Sequence, residues 1–416
     1  MVEKFTLPQI TIKDLIGAIP KECFQRSAIK SSRYVLQNVL LSGLLIKGSV
    51  YIPYLTQLSG GYYTSSVVSS ALWSFFWFAQ GLSFTGLWVL AHECGHYAYS
   101  NRKYINNMVG FILHSILLVP YYSWKISHAK HHAGIGHMNK DQVFVPQTRS
   151  ETRALTLDYE NADENVVTGV DVPEEEQLRL SEVLEDAPLV VLLNLLIQQL
   201  VGWPLYLLMN VSGQRYPKWT SHFNPYAAIF DTRHFGQVVL SDVGIAGVLL
   251  GLFVWGQQRG FREVVFHYLI PYLWVNCWLV SVTFLQHTDP SVPRYRDGLW
   301  NFQRGALCTI DRVFMGPVGT YILHGICETH IAHHVCSKIP HYNAWKATDA
   351  LKTYLGPHYN YSDENFFVSL YKTYRDCVFV EDQGDMVFYK DSRGRASRMA
   401  ELKQTQEVSD SGVELQ

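Results

Sequence analysis

Eight histidines stand in three groups whose spacing could hold metal: His92-Glu-Cys-Gly-His96, His128-Ala-Lys-His131-His132 and His330-Ile-Ala-His333-His334. Residues three and four apart share one face of a helix, so each group aims two or three imidazoles at one point. Imidazole suits iron, zinc, copper and nickel. Eight imidazoles exceed the three or four ligands of one zinc ion, so the economical reading is a two-metal site. Two irons can bind and split O2, giving an oxidant able to take hydrogen from an unactivated methylene. Soluble di-iron bundles do this with carboxylates and Glu-x-x-His motifs. An all-imidazole shell leaves the irons more electrophilic, and its substrate, reached from a bilayer, would be a lipid acyl chain.

Two rival readings use the same residues. His92-Glu-x-x-His96 matches the zinc-protease pattern H-E-x-x-H, in which two histidines bind zinc and the glutamate is the base. That reading, a membrane zinc metalloprotease, leaves both H-x-x-H-H groups idle. A metal carrier without chemistry would place its ligands inside membrane spans, where ionisable groups line pathways. Here all three groups follow or flank apolar stretches.

The elements that must position these histidines are membrane helices. Of the 416 residues, 14% are aromatic and only 17% charged, below the usual quarter. The net charge of -2 points to no nucleic-acid partner. Seven cysteines, without a C-x-x-C, argue for reduced surroundings and against a disulfide framework. Cys94, Cys327 and Cys336 near the histidine groups read as small buried residues. Four apolar stretches read as spans: Tyr34–Leu55, Ala71–Ala91, Val238–Gly256 and Val264–Leu285. Basic residues before the first span, and none in the charge-free loop Thr56–Ser70, place the N-terminus in the cytosol.

Parity then decides two ambiguous stretches. Val109–Tyr122 is short for a span, and crossing there would separate the first two histidine groups, so it is read as re-entrant or interfacial. Ala187–Val211 is read as lying in the interface, because a crossing would strand the third group. The expected fold is an all-α integral membrane protein with about four transmembrane helices, interfacial or re-entrant helices, and a cytosolic helical cap holding the histidines. Residues 1–33 form a cytosolic N-terminal segment, 34–390 the membrane domain, and 391–416 a disordered tail. Glu151–Asp186 carries twelve acidic residues against two arginines and reads as a solvated, partly disordered insert.

The motifs now carry a resemblance. Leu90-Ala-His-Glu-Cys-Gly-His96, Ser123-Trp-Lys-Ile-Ser-His-Ala-Lys-His-His132, Leu285-Gln-His-Thr-Asp-Pro290 and Glu328-Thr-His-Ile-Ala-His-His334, followed by Ile339-Pro-His-Tyr-Asn-Ala344, resemble the membrane-bound fatty acyl desaturases of fungi and plants. The resemblance covers roughly residues 15–390. It implies a di-iron centre, O2 as co-substrate, and electrons from a separate cytochrome b5 and its NADH-cytochrome b5 reductase. No His-Pro-Gly-Gly haem-anchoring segment is present. It implies as ligands His92, His96, His128, His131, His132, His330, His333 and His334, with His287 as a ninth. Acyl-CoA relatives carry an asparagine four residues before that ninth histidine, helping to hold a water; here the position is Thr283. The expected reaction is Δ12 (omega-6) desaturation of oleoyl to linoleoyl on a phospholipid in the endoplasmic reticulum membrane. Termini and active site would be cytosolic, with homo- or hetero-oligomers with other desaturases as possible assemblies. Omega-3 (Δ15) or bifunctional desaturation and acyl hydroxylation are the alternatives. His114 and His267 read as core or interfacial residues. His137, His341, Glu93, Asp141, Glu328 and Asp289 are candidates for orienting the ligands.

Overall fold

A computed structural model describes residues 3–152, 157–184 and 186–400. Helices α1 (Ile12–Ala18), α2 (Ala28–Ser49), α3 (Ile52–Leu58) and α4 (Tyr62–Gly95) lead to the first histidine group. Helix α4 passes the length and composition test for a span, and α2 with α3 passes it as a pair bent by 41°. The expected loop Thr56–Ser70 shrinks to residues 59–61. Its hydroxyl residues do not break the helices, because they bond back onto the chain: Thr56 Oγ1 donates to the Ile52 carbonyl at 2.8 Å and Ser65 Oγ to the Thr56 carbonyl at 3.1 Å. Small residues let α2 approach α4. A Cβ on Gly86 would lie 1.9 Å from Asn38 Nδ2, and Ser42 and Ser83 share a hydrogen bond of 2.8 Å.

Helices α5 (Lys103–Ile116) and α6 (Tyr121–Gly134) meet at a bend of 108°, so the chain dips and returns, as parity requires. Gly110 admits the Tyr121 ring, which a Cβ would meet at 2.3 Å. The Ile116 carbonyl at the tip accepts from Tyr268 Oη at 2.6 Å. The acidic insert is structured, contrary to expectation, with helices α7 (Glu164–Thr168) and α8 (Glu174–Leu184).

Helix α9 (Pro188–Met209) is long and apolar enough to cross a membrane. Both its ends nevertheless attach to the polar cap. At one end Asp186 pairs with Arg393, and Asn194 borders Gln147 and Val378. At the other the Leu207 carbonyl accepts from His222 N–H at 2.8 Å, and Asn210 donates to the Gln214 carbonyl at 2.9 Å. The helix therefore lies along the cap, with Leu189, Leu193, Leu196, Ile197 and Leu200 exposed on its outer side. Helix α10 (Phe235–Arg259) leads away from the cap. The return runs through α11 (Phe261–Val264), a π-helical turn at Val265–Leu269, and α12 (Ile270–His287), the helix that delivers His287.

The remaining cap holds the short helices α13 (Phe302–Ala306), α14 (Pro317–Tyr321), α15 (His330–Val335), α16 (His341–Leu355) and α17 (Phe366–Asp376). Strand pairs are few and short: β1 (Glu3–Phe5) with β6 (Arg398–Ala400), β2 (Arg294–Tyr295) with β5 (Met386–Val387), and β3 (Asp311–Arg312) with β4 (Tyr361–Ser362). Two expected boundaries move. The N-terminal segment belongs to the cap, because Leu15, Ile19 and Cys23 pack with Ile331, Ala332 and Leu351. The expected disordered tail is ordered through Ala400, where β6 pairs with β1; residues 401–416 lie outside the described residues.

A buried ion cluster explains the insert. Arg149 makes a two-pronged bond to Glu381, with Nε to Oε2 at 3.0 Å and Nη2 to Oε1 at 2.9 Å. Lys390 Nζ reaches Glu381 Oε1 and the carbonyls of Val166 and Val167, each at 2.7 Å. Tyr159 donates to Glu381 Oε2 at 2.7 Å. Burial pushes the Glu381 carboxyl up, yet the Arg149 and Lys390 cations hold it below the ordinary carboxylate range. Its contribution is thus present above that range and lost as pH falls through the folded-state value. Replacing Glu381 by Gln leaves Lys390 buried without its counter-charge and Arg149 with only Glu176, 3.5 Å away, and should cost about 3–5 kcal/mol. The expected outcome is a lower thermal midpoint of the purified protein and faster proteolysis within residues 157–184. An unchanged midpoint would show that the cluster does not hold the insert.

Candidate metal centre

Four helices deliver their histidines from their C-terminal ends. His92 lies in the last turn of α4, His131 and His132 in that of α6, His333 and His334 in that of α15, and His287 ends α12. One set comprises His92, His96, His128, His132 and His333, and a second His131, His287 and His334; in each, the ligand atoms lie within 4.8 Å of one another. His330 joins the second, its Nε2 3.0 Å from that of His287 and 3.1 Å from that of His334. In the first set Nε2 atoms pair at 2.9 Å (His92–His128), 3.2 Å (His128–His132 and His132–His333) and 3.3 Å (His92–His96). Nitrogens about 2.1 Å from one shared ion stand ~3.0 Å apart along an octahedral edge, so these separations fit a common metal. The two sets abut, with the rings of His132 and His334 stacked at 4.1 Å.

Hydrogen bonds around the rings fix their orientation. Asp141 Oδ1 accepts from His131 Nδ1 at 2.5 Å, while Oδ2 accepts from Gly136 N–H at 2.9 Å. That bond turns the His131 Nε2 lone pair inward, where the atom is buried without a protein partner. Arg294, fully buried, lies 3.7 Å from Asp141 and donates to the His287 carbonyl, so one carboxylate–guanidinium pair ties His131 to His287. Trp88 and Trp124 stack on His92 and His128, at 5.5 Å and 4.5 Å.

The other expected orienting residues fare unequally. Glu93 holds His341 (Oε2 to Nδ1, 2.7 Å) and not a ligand ring. Glu328 accepts from Phe314 N–H, Asp289 pairs with Arg312, and His137 contacts Asp297 and Trp300, so none of the three orients a ligand ring. His114 packs among Trp88, Tyr121 and Trp124, and His267 bonds Ser49, as core residues do. No cysteine joins either histidine set among the described residues. Asp311 escaped the sequence reading: its Oδ1 accepts from Ile331 N–H at 2.8 Å, anchoring the start of α15 from twenty residues away. No local pattern marks such a contact. Thr283 Oγ1 donates to the Leu279 carbonyl of its own helix at 2.7 Å, which engages its one hydroxyl proton.

An apolar slot of about 260 Å³ runs between α9 and α12 to these rings. Trp88, Trp124, Trp203, Leu279 and Val280 form its walls, and His128, His131 and His287 border it. Its polar lining includes Gln198, Thr283, Tyr206 and Ser212. Such a slot suits an unbranched hydrocarbon lying against a metal pair.

Sequence comparison agrees with this geometry. The pattern of the fatty acid desaturase family matches residues 71–365. A Delta(12) fatty acid desaturase from Mortierella alpina is 45% identical over 386 residues, covering 93% of this chain and 92% of its own. The Delta(12)-fatty-acid desaturase of Arabidopsis thaliana is 36% identical over 375 residues, 90% of this chain and 88% of its own. An oleate hydroxylase from Claviceps purpurea is 38% identical over 426 residues, 96% and 84% of the two chains. With histidine sets, acyl-shaped slot and sequence in agreement, this membrane oxidoreductase belongs to the fatty acid desaturase family.

Proposed function

We propose that the protein inserts a cis double bond into a lipid-esterified acyl chain, converting oleoyl to linoleoyl at Δ12. The observation that carries the reading is the apolar slot ending on His128, His131 and His287. The Δ12 position rests on the names of the relatives. His92, His96, His128, His132 and His333 would hold one iron, and His131, His287, His330 and His334 the other. Two irons bound there supply oxygen activation strong enough to break an unactivated C–H bond. The acyl chain loses two hydrogens, O2 is reduced to two waters, and two further electrons and two protons close the balance. Cytochrome b5 and its NADH reductase, as separate proteins, would supply the electrons at the cytosolic face of the endoplasmic reticulum membrane.

The chain's own residues do the positioning. Tryptophan and aliphatic walls hold the methylenes and exclude water, which would otherwise compete for the oxidant. Asp141 and Arg294 keep His131 and His287 at fixed separation. A displacement of 1 Å in such an arrangement costs about a hundredfold in rate.

Four experiments test this reading. In a host that makes oleate but no polyunsaturates, expression should yield linoleate; a hydroxylated acid in its place would favour the hydroxylase alternative. Changing His131 or His333 to Ala should abolish the diene and lower iron per chain from about two, whereas His114→Ala should keep part of the activity at equal membrane abundance. Normal diene from both ligand variants would sink the metal-site reading, and stoichiometric zinc without iron in active protein would revive the protease. Asp141→Asn keeps the shape but loses the charge that orients His131, so product formation should drop about 10–100-fold, with weaker iron retention. For topology, glycosylation acceptors inserted at residues 59–61 should be modified in the lumen and acceptors in 157–184 should not. Modification of the latter would contradict a shared cytosolic site.

A further inference from the structure

A second recess, about 380 Å³, opens beside His96 between the start of α5, α6 and the start of α10. It does not communicate with the acyl slot through the same face of α6. At 100° per residue, Trp124, His128 and His131 share one side of that helix, facing the slot, while Tyr122, Lys125, Ile126 and Ala129 share the opposite side, facing the recess. The recess therefore needs its own explanation.

Its chemistry is cationic and uncompensated. Lys125 Nζ, half-buried, bonds Asn107 Oδ1 at 2.7 Å and lies 3.9 Å above the Tyr97 ring, both neutral partners. Tyr97 adopts φ of 59°, a left-handed conformation that costs energy in a residue other than glycine. Its carbonyl accepts from Arg26 Nη1 at 2.9 Å, and Arg26 Nε is buried without a partner. Lys103 adds a further positive charge one turn before Asn107 on the same face of α5. Among the described residues none of these three cations is ion-paired, whereas the buried arginines Arg149, Arg294 and Arg312 all are. Lys125 lines the hollow, Arg26 reaches it through the Tyr97 carbonyl, and no carboxylate is among its lining residues, which makes it a site for an anion.

The surroundings identify the anion's carrier. Along α5, Tyr104, Met108, Ile112 and Ile116 recur every four residues and are 46 to 62% exposed. This stripe starts beside Arg102 and Lys103 and runs away from them, so the polar–apolar boundary crosses the protein at the recess. Aromatic and basic residues mark the headgroup level of a bilayer. A phosphate at Lys125 would sit at that level, with its acyl tails running down the stripe.

We propose that this recess binds the phosphodiester of a membrane phospholipid, at Lys125 with Arg26 and Lys103, separately from the acyl chain in the slot. An ammonium–phosphate contact is a charge-assisted hydrogen bond, worth about 1.5–3 kcal/mol, so its loss should weaken binding about tenfold or more. The test uses full-length, iron-containing protein in detergent micelles, titrated with phosphatidylglycerol or headgroup-free diacylglycerol, with retained lipid read by native mass spectrometry. Wild type should retain phosphatidylglycerol and not diacylglycerol. K125Q should lose about tenfold in retention, K125R should keep it, and K13Q, an exposed lysine outside the recess lining, should match wild type. If K125Q does not fold, R26Q takes its place in the same comparison. Equal retention by K125Q, or equal retention of diacylglycerol, would overturn the proposal. Binding of inorganic phosphate that depends on Lys125, without lipid retention, would assign the recess to a free anion instead. Slower reduction of K125Q by an acidic electron-donor protein, with lipid retention unchanged, would assign it to protein docking and equally overturn the lipid reading.

Discussion

Nine imidazoles carried by four separate stretches of chain must present their nitrogens within a few ångströms of two points, and the rest of the architecture follows from that demand. Neutral imidazoles bring no charge of their own to offset metal cations, and the shell lacks the carboxylates of the soluble di-iron bundles. The compensation is built into the backbone. Helices α4, α6, α12 and α15 all aim their C-terminal ends at the site, and each helix C-terminus carries about half a negative charge. The backbone dipoles of these helix ends thus supply a negative potential where the ions would lie, while Arg294 takes up the His287 carbonyl at the end of α12. Asp141 and Glu93 are the carboxylates next to this shell, one bonded to His131 and the other to His341.

Aiming helix C-termini at one place also dictates topology. A membrane-crossing helix that delivers its histidine from its C-terminal end must start on the far side, as α4 does and as α12 does through α11. Everything between α4 and α10 must then end on the near side. Helices α5 and α6 meet this by dipping and returning, and α9 by lying along the cap despite a composition that would suit a span. Composition alone therefore misleads for α9. What overrides it is hydrogen bonding at both ends, where Asp186, Leu207 and Asn210 are tied to cap residues.

That contrast explains what was legible in the sequence. The histidine groups, the true spans and the re-entrant piece could be read because their signals are local: spacing of three and four, runs of apolar residues, and parity between them. Asp141 was legible for the same reason, lying ten residues after His131 in the loop that follows α6. Contacts between remote segments were not. The insert looks solvated because its acids have few local counter-charges, yet Arg393 pairs with Asp186 and Lys390 donates to the Val166 and Val167 carbonyls, each across more than two hundred residues of chain. Asp311 at the start of α15, Arg294 beneath His287 and the pairing of β1 with β6 belong to the same class. The length of α4 was underestimated because serine and threonine were read as loop formers. In a membrane helix their hydroxyls bond back to carbonyls of their own chain and leave the helix intact.

The placement of α9 bears on selectivity. A saturated acyl chain offers no polar handle, so the depth at which it stops is set by the shape of the slot wall. One side of that wall is α12, held in register with His287; the other is α9. The two are locked together by Ser281 Oγ donating to Gln199 Oε1 at 2.7 Å, and Gly202 of α9 packs against Val280. A shift of α9 by one residue along its axis moves the wall by 1.5 Å, more than the ~1.3 Å that one methylene adds to an extended chain. The position of α9 on the cap, and so the contacts at its two ends, is a direct lever on which methylene lies against the histidines.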